Sequence, residues 1–175
     1  HFNDALRQHV VDVLREAGYL AVAPVLEPTF RILNEGPARP PASVWSERHV
    51  MYAAGLGTFG LSDGFITPRG MAMRCGSVVT NLPLEVTPRH YTSHTANCLY
   101  LAEGTCGECV ARCPAGAITR EGGHDKTKCK EYAYGVLRPL LAAYGVEGER
   151  GAAVGCGLCQ TGVPCEAEIP AKRKG

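Results

Sequence analysis

The chain has 175 residues, 45% of them apolar, and a formal net charge of +1. That length can bury one core or two small ones, and the near-balance of charge excludes a broad basic face for nucleic acid or an electrostatic hold on an anionic membrane. No apolar run approaches the roughly 18 residues of a membrane span, and no leader-like segment opens the sequence, so the expectation is a cytoplasmic protein.

From the amino end, "NDALRQHVVDVLREAG" predicts an amphipathic helix. Asn3 or Asp4 can cap it, Leu6, Val10, Val13, Leu14 and Ala17 share a face, and Gly18 can stop it. "YLAVAPV" is short and apolar, as a buried strand is. "EGPARPPAS" reads as a loop from its glycine and prolines. "SVWSERHVMYAAG" predicts a second helix with Ser43 or Ser46 as cap and Gly55 as stop. A further strand is expected around Val78 and Val79. Residues 1–90 thus read as a mixed α/β piece, too small for a complete doubly wound domain. The chain opens at His1 almost directly in a helical pattern, so it is expected to be part of a longer protein.

Within this piece, "GLGTFG" sets Gly55, Gly57 and Gly60 in a literal G-x-G-x-x-G. A dinucleotide site needs a strand before that pattern, a helix after it and an acid about 20 residues on. Here a helical pattern precedes it, "LSDGFITP" follows it, and the acid nearest the expected window is Glu85. The pattern reads instead as a helix stop followed by a tight turn. A third reading is a bare backbone surface for some other large cofactor, since glycine has no Cβ.

From about Tyr91 the texture changes, and eight of the nine cysteines lie at or beyond Cys98. "KTKCKEYAYGVLRPLLAAYG" predicts helix, with Pro139 kinking it or starting a new turn. The closing "AKRKG" reads as a solvated end. His90, His94 and His124 fall in loops without paired metal spacing, and His49 reads as an exposed or capping side chain. Trp45 is expected to pack at a helix start, and Glu47 and Arg48 to form local ion pairs.

The odd cysteine count, tight spacing and missing export signal argue against a disulfide framework and for metal ligation. The first run is Cys106-x2-Cys109-x3-Cys113-Pro114, the second is Cys156-x2-Cys159-x5-Cys165, and Cys98 and Cys129 stand alone. With Cys75 set aside eight remain, the number two 4Fe-4S clusters need. Each C-x2-C presents two sulfurs from one turn, and Gly107, Gly155 and Gly157 allow the backbone to curl there. In two-cluster ferredoxins the cysteine before proline ligates the other cluster. By that rule Cys98, Cys106 and Cys109 would share one cluster with Cys165, and Cys129, Cys156 and Cys159 the other with Cys113. "LYLAEGT" would loop out between Cys98 and Cys106. Zinc is the rival, because two C-x2-C pairs can supply four thiolates. Yet 46 residues separate Cys109 from Cys156, against about 15–20 in a zinc ribbon, and zinc leaves Cys98 and Cys113 unexplained. Cys75 reads as a small buried apolar residue or as part of a cofactor pocket.

The segments "WSERHVMYAAGLGTFG", "FITPRGMAMRCGSVVTNLPL", "CGECVARCPAGAI", "KCKEY" and "GCGLCQTGVPC" come in an order that resembles the epoxyqueuosine reductase and reductive dehalogenase superfamily. The resemblance implies an α+β chain. Residues 1–90 would be part of a cobalamin-binding α/β domain, and residues 91–175 a ferredoxin-like domain with two 4Fe-4S clusters. It implies a redox partner protein as electron donor or acceptor, and a route through the clusters to a corrinoid. It also implies that Gly57, Thr58, Arg74, Cys75, Gly76 and Ser77 lie near that cobalamin. Some positions depart from epoxyqueuosine reductases, which carry D-S-x-P-x-x-E before the glycine turn. Counted back without a gap, its glutamate matches Glu47 but its aspartate falls on Pro41, and proline cannot donate a proton. The usual G-K-N is here Gly60-Leu61-Ser62, and Cys165 is followed by Glu166 in a run two residues longer than C-x2-C-x3-C-P. Three functions follow: an electron-transfer protein with two 4Fe-4S clusters, a cobalamin-dependent reductase fed by those clusters, and a non-redox module stapled by them.

Overall fold

A computed structural model describes residues 2–33, 42–145 and 155–171. In chain order the elements are α1 (Phe2–Glu16), β1 (Ala21–Val22), β2 (Ile32–Leu33), β3 (Ala42–Ser43), α2 (Glu47–Ala53), β4 (Thr58–Phe59), β5 (Phe65–Ile66) and β6 (Val79–Thr80). Then come α3 (Leu99–Glu103), α4 (Glu108–Ala111), β7 (Ile118–Thr119), β8 (Gly123–His124), α5 (Lys126–Lys130), a π-helical stretch (Glu131–Leu137) and α6 (Arg138–Ala143). Helices mixed with two-stranded antiparallel pairs make an α+β chain. Among the described residues no helix is long and apolar enough to cross a membrane.

Two compact units form, one from His1–Leu56 and Arg74–His90, the other from Gly57–Met73 and Tyr91–Gly175. A single boundary at residue 90 therefore does not describe the chain, because residues 57–73 pack with the cysteine-bearing segment.

In the first unit both helix stops are set locally. Gly18 takes φ 86°, its N–H bonds to the Arg15 carbonyl at 2.9 Å, and the Tyr19 N–H reaches back to Leu14 at 3.0 Å. Gly55 (φ 78°) and Leu56 close α2 in the same way on Tyr52 and Met51. This is the left-handed glycine stop that satisfies the last carbonyls of a helix. Ser46 is the residue before α2, and its hydroxyl pairs with His49 Nδ1 at 2.7 Å; Ser43 lies in β3 instead. The expected apolar face of α1 is not the one buried. Val11 is the buried residue, beside Ala21, Ala23 and Leu14, while Leu6, Val10 and Val13 are exposed. Arg15 holds the Ala21 carbonyl at 2.8 Å, which lays β1 along the Val11 side. The strand expected over "YLAVAPV" shrinks to Ala21–Val22, paired antiparallel with Thr80 and Val79. Pro24 has no N–H to continue a ladder and opens a 3-10 turn, Pro24–Leu26. Most of the predicted loop "EGPARPPAS", with Pro41, lies outside the described residues; its last two, Ala42 and Ser43, pair with Leu33 and Ile32. Residues 172–175 of the closing "AKRKG" also lie outside them.

In the second unit β4 and β5 form a hairpin with Thr58 opposite Ile66 and Phe59 opposite Phe65. The two phenylalanine rings meet edge-on at 5.2 Å. Four hydrogen bonds join this segment to the cysteine region. The Phe59 N–H reaches the His94 carbonyl (2.7 Å), the Asn97 N–H the Thr58 hydroxyl (2.9 Å), Asn97 Nδ2 the Ile66 carbonyl (3.0 Å) and the Met71 N–H the Cys165 carbonyl (2.9 Å). Leu61, Ile66, Met71, Cys98, Ile118 and Val163 make the core. The helix expected over 126–145 starts where the Asp125 carboxylate accepts the N–H groups of Thr127 and Lys128. Pro139 sits in the first turn of α6. It cannot donate the bond that would extend the preceding ladder, and the ladder widens to π just before it.

Candidate metal centre

The cysteines come from short elements. Cys98 precedes α3, Cys106 and Cys109 flank the start of α4, and Cys113 follows it. Cys129 sits on α5, Cys159 on a 3-10 turn at Leu158–Gln160, and Cys156 two residues before that turn. "LYLAEGT" is a helix rather than a loop. Leu99 is buried and anchors it, and Gly104 at φ 71° stops it. Of the three glycines expected to let the turns curl, only Gly107 needs its freedom. It takes φ 149°, and a Cβ there would stand 2.5 Å from the Arg120 guanidinium. Gly157 has an ordinary φ of −114°, and neither it nor Gly155 has a neighbour that a Cβ would meet.

The thiols fall into two groups. Cys98, Cys106, Cys109 and Cys165 line one cavity, with about 400 Å³ of space outside the atoms, part of it open to solvent. Leu61, Ile66, Met71 and Tyr100 complete its wall. Burial pushes the Cys109 thiol up to about 11, and negative charge on Cys98, Cys106 and Cys159 adds to the shift. Cys165 is pushed up to about 12, mainly by burial, against a backbone hydrogen bond and with Cys98, Cys109 and Cys106 raising it further. The other group is Cys113, Cys129, Cys156 and Cys159. Burial raises Cys129, and Cys113 and Cys156 raise it further. Burial also raises Cys159, followed by Cys129, Cys156 and Cys113. Arg112, next to Cys113, donates to the Leu158 carbonyl at 3.0 Å and so joins the two cysteine runs.

All nine cysteines are free thiols. Among the described residues no three Cys, His, Asp or Glu side chains converge tightly enough to hold one ion. A tetrahedral zinc, with Zn–S near about 2.3 Å, draws its four sulfurs into mutual contact. A 4Fe-4S cluster keeps its four cysteine sulfurs at the corners of a larger body, which suits thiols gathered around a cavity. The surroundings suit it as well. The Ala117 N–H points to Cys113 Sγ at 3.3 Å, the kind of hydrogen bond that stabilises a ligating thiolate, and the Cys165 thiol meets Met71 Sδ at 3.1 Å.

The residues assigned to a corrinoid by resemblance fit less well. A Cβ at Gly57 would stand 2.3 Å from the Ile66 carbonyl, so its bareness serves the hairpin. Thr58 is wholly buried, which removes it as a cofactor contact. Gly76 packs on the Arg7 guanidinium, Arg7 donates to the Cys75 carbonyl at 2.9 Å, and Trp45 donates to the Ser77 hydroxyl at 3.0 Å. Arg74 and Gly76 remain exposed. Arg7 also pairs with Glu47 at 3.3 Å, giving that acid a structural partner. Cys75 is half-buried, and burial first, then Glu47, raises its thiol.

Sequence reasoning missed Met71, Tyr100 and Arg120 as neighbours of the thiols, since no local pattern marks them. It also missed the pairing of His124 Nδ1 with Asp63 at 3.2 Å.

Residues 104–166 match the family described as a 4Fe-4S double cluster binding domain. An epoxyqueuosine reductase from Gloeobacter violaceus is 34% identical over 134 residues, which cover 75% of this chain and 37% of that protein. The chain thus spans well under half the length of that relative. No solved structure matches it. The chain thus has a double cluster domain at its cysteines and is similar to an epoxyqueuosine reductase along three quarters of its length.

Proposed function

We propose that the chain carries two 4Fe-4S clusters in a ferredoxin-like domain and transfers electrons. Cys98, Cys106, Cys109 and Cys165 would hold one cluster, and Cys113, Cys129, Cys156 and Cys159 the other. The observation that carries this reading is the separation of eight thiols into two groups, each drawn from both cysteine runs. A bound 4Fe-4S cluster supplies one-electron redox chemistry at a potential set by its surroundings. The chain's own residues present the thiolates, shield one site with Leu61, Ile66 and Met71, and donate an N–H to Cys113.

The test is iron and sulfide analysis of anaerobically reconstituted protein, with EPR during reductive titration. Two interacting four-iron clusters are expected in the wild type. Cys165→Ser should lose one and keep the other, and Cys113→Ser should do the converse. Loss of both signals in each variant, or one zinc per chain, would sink the assignment. Clusters that dithionite cannot reduce would favour a structural role.

The likeness to an epoxyqueuosine reductase favours a second reading, a reductase in which the clusters feed a corrinoid. Arg74 and Gly76, both exposed, are the residues that fit such a contact. Protein incubated with hydroxocobalamin should then retain it through gel filtration; a corrinoid-free protein peak removes this reading.

A further inference from the structure

We propose that Arg120 is an electrostatic positioning residue for the site of Cys98, Cys106, Cys109 and Cys165, where its fixed positive charge raises the reduction potential of a bound cluster. The proposal rests on the two-cluster reading above. Arg120 follows β7, whose Ile118 is 2% exposed, so its backbone is anchored in the core. Its Nη1 donates to the Cys106 carbonyl at 2.7 Å. Its guanidinium carbon lies 5.2 Å from the centroid of the Tyr100 ring, and the Tyr100 hydroxyl donates back to the Arg120 carbonyl at 3.0 Å. Tyr100 lines the cavity two residues after Cys98. A Cβ on Gly107 would stand 2.5 Å from Nη2, 2.6 Å from Cζ and 2.8 Å from Nη1. The guanidinium thus fills the space a side chain would take in the turn between Cys106 and Cys109, and glycine there admits it.

The side chain therefore clasps two ligand segments of one site, the helix after Cys98 and the C-x2-C turn. Groups behind the ligands orient them and tune the centre, and net charge and hydrogen bonding set the potentials of iron–sulfur clusters. Reduction adds one negative charge, which a nearby cation favours. Arginine stays protonated at all working pH values, so the bias does not switch with pH. Glu108 is the charged residue lining the same cavity and opposes it in sign.

The test is a redox titration followed by EPR on the reconstituted full chain, comparing wild type with Arg120→Gln, Arg120→Lys and Glu108→Gln, each checked for iron content. In Arg120→Gln one reduction step should move to lower potential while the other stays. Arg120→Lys should keep most of the wild-type value, and Glu108→Gln should move the same step upward. Arg120→Met is a second charge-free variant should the glutamine protein load poorly. Unchanged steps at full iron content, or two steps moving equally, would overturn the proposal. Iron loss in both charge-free variants with full loading of Arg120→Lys would overturn it too, in favour of a purely structural role. Failure of the two-cluster reading is distinct, since the wild type itself would then lack two reducible clusters.

Discussion

Gly70→Ala tests the seam that carries Cys165. Gly70 takes φ 75°, and a Cβ there would stand 2.1 Å from the Glu166 carbonyl oxygen, 2.4 Å from its carbon and 2.5 Å from the Ala167 nitrogen. All three are backbone atoms, so no rotamer change relieves the contact, and the segment at Glu166 must retreat by about 1 Å to reach ordinary separation. The bonds from the Met71 N–H to the Cys165 carbonyl (2.9 Å) and from the Ala72 N–H to the Glu166 carbonyl (3.1 Å) lie along the same seam. The left-handed conformation costs an L-residue about 1–2 kcal/mol, and overpacking adds about 1–3 kcal/mol. The total, about 2–5 kcal/mol, is a large share of a typical stability of about 5–15 kcal/mol. At about 2–4 °C per kcal/mol for a chain of this size, the melting midpoint should fall by at least about 4 °C. Reconstituted protein would be heated anaerobically and followed by circular dichroism and by its visible cluster absorption. Gly123→Ala is the control, because Gly123 has a similar φ of 68° but nothing within 4 Å of its Cβ position. It should show the conformational cost alone, about 1–2 kcal/mol. Equal shifts in the two variants, or an unshifted Gly70→Ala, would refute the close packing of residues 70 and 166.

Asp125→Ala removes the acceptor for the Thr127 and Lys128 N–H groups at 2.9 and 3.0 Å. It should cost about 1 kcal/mol, with Asp125→Asn recovering most of it; urea midpoints check this. Ile118→Ala opens a cavity at a side chain that is 2% exposed, and a loss of about 2–5 kcal/mol is expected in the same assay. Alkaline pH should destabilise the metal-free, reduced protein. Cys109 and Cys165 titrate higher folded (about 11 and about 12) than their ordinary value of 9.0. The stability linked to their neutral forms is therefore complete below the unfolded pKa and is lost as pH rises through the folded values. Melting midpoints should hold from about pH 7 to 8 and fall above about 9. Cys165→Ser should flatten that fall, and identical slopes would contradict it.

Local chemistry was legible wherever it closes within a few residues. Gly18 and Gly55 stop their helices because the left-handed turn needs only the preceding carbonyls. Which face of α1 is buried was not legible. Leu6, Val10 and Val13 make the better stripe, yet Val11 is covered, because a two-residue strand held by Arg15 decides what lies above the helix. The glycine run offered three readings, and two of its glycines serve packing. Gly55 ends a helix, and Gly57 clears the Ile66 carbonyl. "LYLAEGT" looked like slack between ligands, but buried Leu99 and a terminal glycine make it a helix.

By itself the sequence determined the candidate ligand inventory, eight cysteines in two runs with two outliers and Cys75 apart, because a C-x2-C turn presents its sulfurs through bonds within one loop. It also determined the helix stops at Gly18 and Gly55, which are settled within a turn of backbone. Only the tertiary structure decided that residues 57–73 leave the amino-terminal unit and wall in the first thiol group. It alone decided that Glu166 backs onto Gly70 and that Arg120 lies in the hollow at Gly107. These are meetings of backbone and side chains far apart in sequence, made by hydrogen bonds and core packing that no local spacing encodes.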